Sequence, residues 1–181
     1  MIVYHVVTDR PMYVGQSIVF DEDHHSGVYS RVMEKLPIVN EIYAHPEDHD
    51  YRELEHHTSV ALRELALEEV RQAKYPEYPS RMACLYVSKT IEEAEKWADL
   101  FSDLGRPTYS IVSLEVNGRC FTGDATNCFD GRTDKTENLK LAEKYWSVDQ
   151  DGEYKIREML IDGDIRVKEI IRQINRNIQD R

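Results

Sequence analysis

Ile2-Val3-Tyr4-His5-Val6-Val7 near one end of the chain and Glu158-Met159-Leu160-Ile161 near the other decide the fold. Both are short runs of the β-branched and apolar residues that strands favour. Each carries one polar group that is costly to bury unless it is paired. In the first run that group is His5, and in the second it is Glu158. Alternation puts Val3, His5 and Val7 on one strand face and Tyr4 and Val6 on the other. If both ends of the chain supply core strands, a histidine and a carboxylate meet beside one cleft.

The stretches between these runs can be read outward from them. A second strand is expected at Ser17-Ile18-Val19-Phe20, after Gly15. Residues 28–35 read as helical until Pro37 interrupts. From about residue 50 to residue 74 the period is helical, with Leu54, Ala61, Leu62, Leu65 and Val70 on one face. Tyr75-Pro76 ends that helix. Met82 to Val87 reads as a buried strand. Ser88 or Thr90 then caps a helix that runs to Gly105, with Glu93 as a capping-box partner. Tyr109 to Val116 is a strand, Asn117-Gly118 a hairpin signal, and Arg119 to Thr122 the returning strand. A short helix is expected over 138–146, strands at 156–161 and 165–171, and a C-terminal helix over 169–181 carrying Ile170, Ile171, Ile174 and Ile178. This order lacks the regular alternation of a doubly wound sheet and reads as one α+β domain over residues 1–181.

Composition narrows the function. The formal charge is −11, which disfavours a general binder of phosphate backbones. The three cysteines form no CxxC pair and suggest no disulfide framework. No apolar run is long enough to span a bilayer, and no basic segment precedes a long apolar stretch, so the expected compartment is the cytoplasm. A P-loop, a GxGxxG fingerprint, HExxH and GxSxG are all absent. Six of the seven histidines fall at His24-His25, His45, His49 and His56-His57. Adjacent histidines point in different directions, and Pro46 breaks the helical spacing of His45 with His49. Glu53 with His49, or with His56 and His57, is the best metal-like grouping, and no metal site is expected.

The remaining motifs carry a resemblance. Tyr4-His5-Val6-Val7-Thr8 followed by Gly15-Gln16-Ser17-Ile18 resembles the leading strand of rifampicin ADP-ribosyltransferase and its relatives. Leu85-Tyr86-Val87-Ser88 and the helix through Ala94, Trp97 and Ala98 resemble the next strand and helix of that family. Tyr109 to Val116 matches a third strand in kind. Glu158-Met159-Leu160-Ile161 with Ile165-Arg166-Val167 and Ile170 resembles the ending of DNA-targeting ADP-ribosyltransferase toxins. The whole chain also resembles a bacterial family of unknown function with an ADP-ribosyltransferase-like fold.

The resemblance implies a split β-sheet with flanking helices and a central cleft that holds NAD as substrate. Carried residue by residue, it gives His5 the NAD ribose, Tyr86 the stacked nicotinamide and Glu158 the catalytic carboxylate. Backbone groups of Val6 would pair with the carboxamide. Arg81, before a core strand, would meet the NAD phosphates or cap a helix end, Ser88 replaces a fuller serine–threonine motif, and Tyr145 with Trp146 offers an alternative stacking surface. Asp124 is the rival acid, by analogy with the later-loop aspartate of the rifampicin enzyme. Val6 stands where the family has glycine. The acceptor is left open among protein, nucleic acid and small molecule. Three other readings stand beside the transferase. They are an inactive nucleotide- or partner-binding module of the same fold, an RNA 2′-phosphotransferase, which would need several arginines around a phosphate, and a structural protein that uses its C-terminal helix as an arm.

Overall fold

The computed structural model describes residues 1–8, 10–21, 23–149 and 152–175. They form a mixed α/β protein with antiparallel strand pairing, grouped into two compact units that interleave along the chain. One comprises Met1–Val19, Leu85–Cys120 and Glu158–Arg181, and the other Phe20–Cys84 and Phe121–Arg157. Among the described residues no helix is long and apolar enough to cross a membrane.

The first unit is built on a four-stranded antiparallel sheet. Its strands are β1 (Ile2–Val7), β2 (Ser17–Ile18), β4 (Ser110–Asn117) and β7 (Asp164–Gln173), in the order β1-β4-β7-β2. A second pair joins β3 (Leu85–Val87) to β6 (Arg157–Ile161), with Tyr86 opposite Leu160 and Val87 opposite Met159. Helix α3 (Ile91–Asp103) packs on β1, burying Val6, Ala94, Ala98 and Ile111 together. Thr90 is its cap, accepting from the Glu93 backbone N–H at 3.2 Å. The Glu93 carboxylate reaches back to the N–H of Lys89 rather than that of Thr90.

Three sequence expectations change here. Asn117-Gly118 does not close a hairpin, because β4 already has β1 on one edge and β7 on the other. Gly118 is needed for a different reason. A side chain there would collide with the Asp162 carbonyl, and one at Gly163, whose φ is +92°, with that of Asn117. The two segments cross in backbone contact, and the Arg119 guanidinium clasps the Asp162 carboxylate with Nε 3.0 Å from Oδ2. The C-terminal helix is also absent over 169–173, where β7 continues. Ile170 lies opposite Val112 and Gln173 opposite Ser110, so ladder hydrogen bonds and β-branched side chains prevail over the helical spacing of the isoleucines. The rest of that expected helix, from residue 176 onward, lies outside the described residues. Finally, β2 stops at Ile18 and leaves Val19 exposed.

The second unit packs α1 (Gly27–Ala44), α2 (His56–Lys74) and α4 (Lys135–Trp146), and carries β5 (Cys120–Asp124) beyond its first residue. Pro37 does not end α1, contrary to the sequence reading. A proline in mid-helix costs about 3 kcal/mol. Val32 lies before it and Val39 and Ile42 after it on the same face, all buried against Ala61 and Leu62 of α2. Each such side chain contributes roughly 1.5–3 kcal/mol, so the buried stripe outweighs the lost bond. Glu55 caps α2 and accepts from the N–H groups of His57 and Thr58. The bond from His57, with help from Lys35 and Thr58, holds its carboxyl at about 2. The folded value lies below the usual 4.5, so the cap contributes above pH 4.5 and is lost as pH falls toward 2. Glu55→Gln is expected to flatten the acid slope of the melting temperature in that window. An unchanged slope in a pH series of thermal melts would contradict it.

Candidate functional site

The sheet divides at the N-terminal strand. Tyr4 and Ser88 form an isolated antiparallel bridge, with Tyr4 N–H donating to Ser88 O at 2.9 Å and Ser88 N–H to Tyr4 O at 2.7 Å. Beyond it β1 and β3 share no further backbone hydrogen bond among the described residues. The next contact is made by a side chain. His5 Nδ1–H donates to the Tyr86 carbonyl at 2.8 Å. That bond fixes the tautomer: in the neutral ring Nε2 is then the acceptor.

The ladder pattern places the other groups. In an antiparallel strand a residue's N–H and C=O point to one side, and successive residues alternate. Tyr4 turns both groups toward Ser88, so Val6 turns both the same way, to the side that β3 has left. Val7 faces β4, as the bond from Tyr109 N–H to its carbonyl requires. The Val6 side chain packs on Ala94 and Ala98 and is 6% exposed. Its bulk therefore lies against α3, while its backbone groups stay in the plane of the sheet.

Glu158 enters by register. Val87 pairs with Met159, so the next residue back along β6 falls opposite Ser88. Ser88 in turn bridges Tyr4. Adjacent strands lie about 4.8 Å apart, so two spacings, about 10 Å, separate the backbone of Glu158 from that of β1. Tyr86 and Glu158 share a face of the β3–β6 pair as diagonal neighbours, roughly 7–8 Å apart. His5, Tyr86 and Glu158 are all half-buried, and Ser88 is 5% exposed. The fold of one unit thus brings together the backbones of His5, Val6, Tyr86, Ser88 and Glu158, with Tyr86 lying 81 residues after His5. The Tyr4–Ser88 pairing puts Tyr4 on the face that Tyr86 and Glu158 share, and alternation roots the His5 side chain on the other face, from which it reaches the Tyr86 carbonyl.

Three sequence candidates belong to the other unit. Arg81 is 5% exposed, with Nε donating to Glu64 at 2.8 Å and Nη1 to the Tyr145 hydroxyl at 2.6 Å. Tyr145 is fully buried and stacks edge-on with Trp146. These groups are bonded to one another inside a core, so neither the NAD-phosphate role of Arg81 nor the stacking role of Tyr145 finds support in their surroundings. Asp124 caps a single 3-10 turn at Ala125–Asn127. It accepts from Thr126 N–H and Oγ1, from Lys155 N–H and from Ile156 N–H. Burial pushes its carboxyl up, but these bonds, led by the Thr126 hydroxyl, outweigh it and hold the group below the usual range.

Sequence reasoning missed Glu64, the buried partner of Arg81. The signal was there: a lone carboxylate three residues from both Ala61 and Leu67 on the buried face of α2. Burial pushes its carboxyl up, and the charges of Arg81 and Arg63 more than reverse that.

Elsewhere His45, Glu47 and Asp48 place ligand atoms within 4.8 Å of one another, but all three are exposed. A shallow groove of about 370 Å³ lies at the β2 edge, beside Ile18, Glu115 and Arg166.

Residues 3–173 match a family described as a protein of unknown function, DUF2441, and the chain belongs to that family. No curated protein matches the chain.

Proposed function

We propose that this DUF2441 chain is an NAD-dependent ADP-ribosyltransferase with a split-sheet fold of that class. The observation that carries the reading is the parting of β1 and β3 beside the Tyr4–Ser88 bridge, with His5, Tyr86 and Glu158 gathered around it. The parted strand offers an N–H and a C=O together at Val6. A primary carboxamide needs that acceptor–donor pair, and nicotinamide carries one.

The chemistry divides among the side chains. Breaking the nicotinamide–ribose bond leaves a cationic, oxocarbenium-like ribose and a neutral aromatic leaving group. The Glu158 carboxylate stabilises the cation by charge and orients the acceptor. The Tyr86 ring holds the nicotinamide by stacking. His5, its tautomer fixed by Tyr86 O, bonds the ribose hydroxyls. The acceptor's nucleophilic atom forms the new bond to the ribose carbon and loses its proton, while nicotinamide leaves with the bonding electrons.

Val6 favours a second reading, the binding module that has lost transfer. The glycine of the ADP-ribosyltransferases that the chain resembles is replaced there by a side chain fitted against α3. Nicotinamide release separates the two. NAD is expected to raise the melting temperature by mass action, and His5→Ala to reduce that shift. Labelled NAD incubated with cell extract should then yield free nicotinamide and a labelled product. No shift at millimolar NAD would remove both readings, and a shift without nicotinamide release would favour the module.

A further inference from the structure

We propose that the His5 imidazole is the wedge that opens the sheet, a positioning role separate from any contact with substrate. Tyr4 and Ser88 exchange both backbone hydrogen bonds. In an antiparallel pair the next such exchange falls two residues on along one strand and two back along the other. Here it would join Val6 to Tyr86, with Val6 N–H donating to Tyr86 O. That carbonyl is instead taken by His5 Nδ1–H at 2.8 Å. The side chain of one strand has replaced the backbone donor next to it, and the two strands cannot close while the ring sits there.

Two features make closure the natural alternative. The strands are already in register at the bridge, so one further pair needs no slippage. Both are also anchored at their far edges, β1 by β4 and β3 by β6. Removing the ring from a sheet held on both sides takes the His5 donor away from Tyr86 O and clears the space between the strands, and the next donor along the ladder is Val6 N–H.

The wedge concerns the same gap as the transferase reading and deepens it, because closing the gap would consume the Val6 groups assigned to the carboxamide. It is tested apart from activity. Amide exchange of the full chain is followed by NMR for wild type, His5→Val and His5→Asn. Valine suits a strand and cannot donate. In His5→Val, the Val6 amide is expected to exchange roughly five- to tenfold more slowly, the scale of one backbone hydrogen bond, and the NAD-induced melting shift should vanish. His5→Asn keeps a side-chain donor and should leave Val6 exchange near the wild-type rate. A Val6 amide that exchanges equally fast in His5→Val and wild type would overturn the wedge. So would a wild-type Val6 amide already as protected as that of His5, which faces β4. Slowed exchange in His5→Val with no NAD shift in wild type would uphold the wedge and defeat the transferase reading.

Discussion

Glu158→Gln is expected to slow nicotinamide release by about 100-fold or more while NAD affinity stays within a few fold. The substitution keeps the size and one acceptor oxygen of the side chain but removes its charge. Charge matters only once the ribose has become cationic, so the loss falls on the reacting state and not on the bound substrate. A fall in kcat without a matching rise in Kd is the signature of such a group. Calorimetry for affinity and chromatographic measurement of nicotinamide for turnover check the two halves separately. Asp124→Asn is the control. The Asp124 oxygens already serve four donors that hold its own turn and residues 155–156. Its replacement should loosen that loop with a smaller effect on turnover. If Asp124→Asn abolishes release and Glu158→Gln does not, the acid has been assigned to the wrong residue.

The strand positions that matter to this site were readable because they are local. β1 and β6 announce themselves by composition, and Thr90 with Glu93 announces the start of α3. What the sequence hid is the partner of each strand. Asn117-Gly118 is a turn signal by local rules, yet no hairpin forms, since β1 and β7 occupy both edges of β4. The isoleucines after Glu169 fit a helix equally well until β4 supplies a ladder for them. Pro37 is a helix breaker whose penalty is visible locally, while the buried stripe that offsets it depends on α2. In each case a long-range contact decides between two local options.

The site shows the same division. His5 and Glu158 stood out as polar groups in apolar runs, and both lie beside the split. The bond from His5 to Tyr86 O was not readable, because its acceptor is a backbone atom with no sequence signature. Arg81 and Tyr145 were drawn into the candidate list by residue type alone. Their neighbours in space, Glu64 and each other, give them a different setting.

That setting yields the second large effect. Arg81→Ala is expected to destabilise the protein by about 3–5 kcal/mol, the usual consequence of stranding one member of a buried ion pair. Against a typical total of roughly 5–15 kcal/mol this is a large share. Glu64 is 1% exposed, and Arg81 supplies both the closest charge at 2.8 Å and the donor to the Tyr145 hydroxyl. Arg63 remains at 3.0 Å from Glu64, which softens the loss. Replacing both Glu64 and Arg81 by Leu and Met should recover much of the stability, because the desolvation of both charges disappears with them. Urea unfolding of Glu64→Leu, Arg81→Met and the double variant measures the coupling directly. The pH dependence adds a sign that packing alone would not produce. In wild type the Glu64 carboxyl lies below its usual 4.5 when folded, so its contribution is present above that value and is lost as the solution is acidified. In Arg81→Ala only Arg63 opposes the burial that pushes the carboxyl up, so the folded carboxyl is expected to rise relative to wild type. The variant's deficit should therefore shrink as pH falls and Glu64 takes up a proton. A deficit that stays constant between pH 7 and pH 4 would mean that Arg81 acts by filling space and not by holding a buried charge.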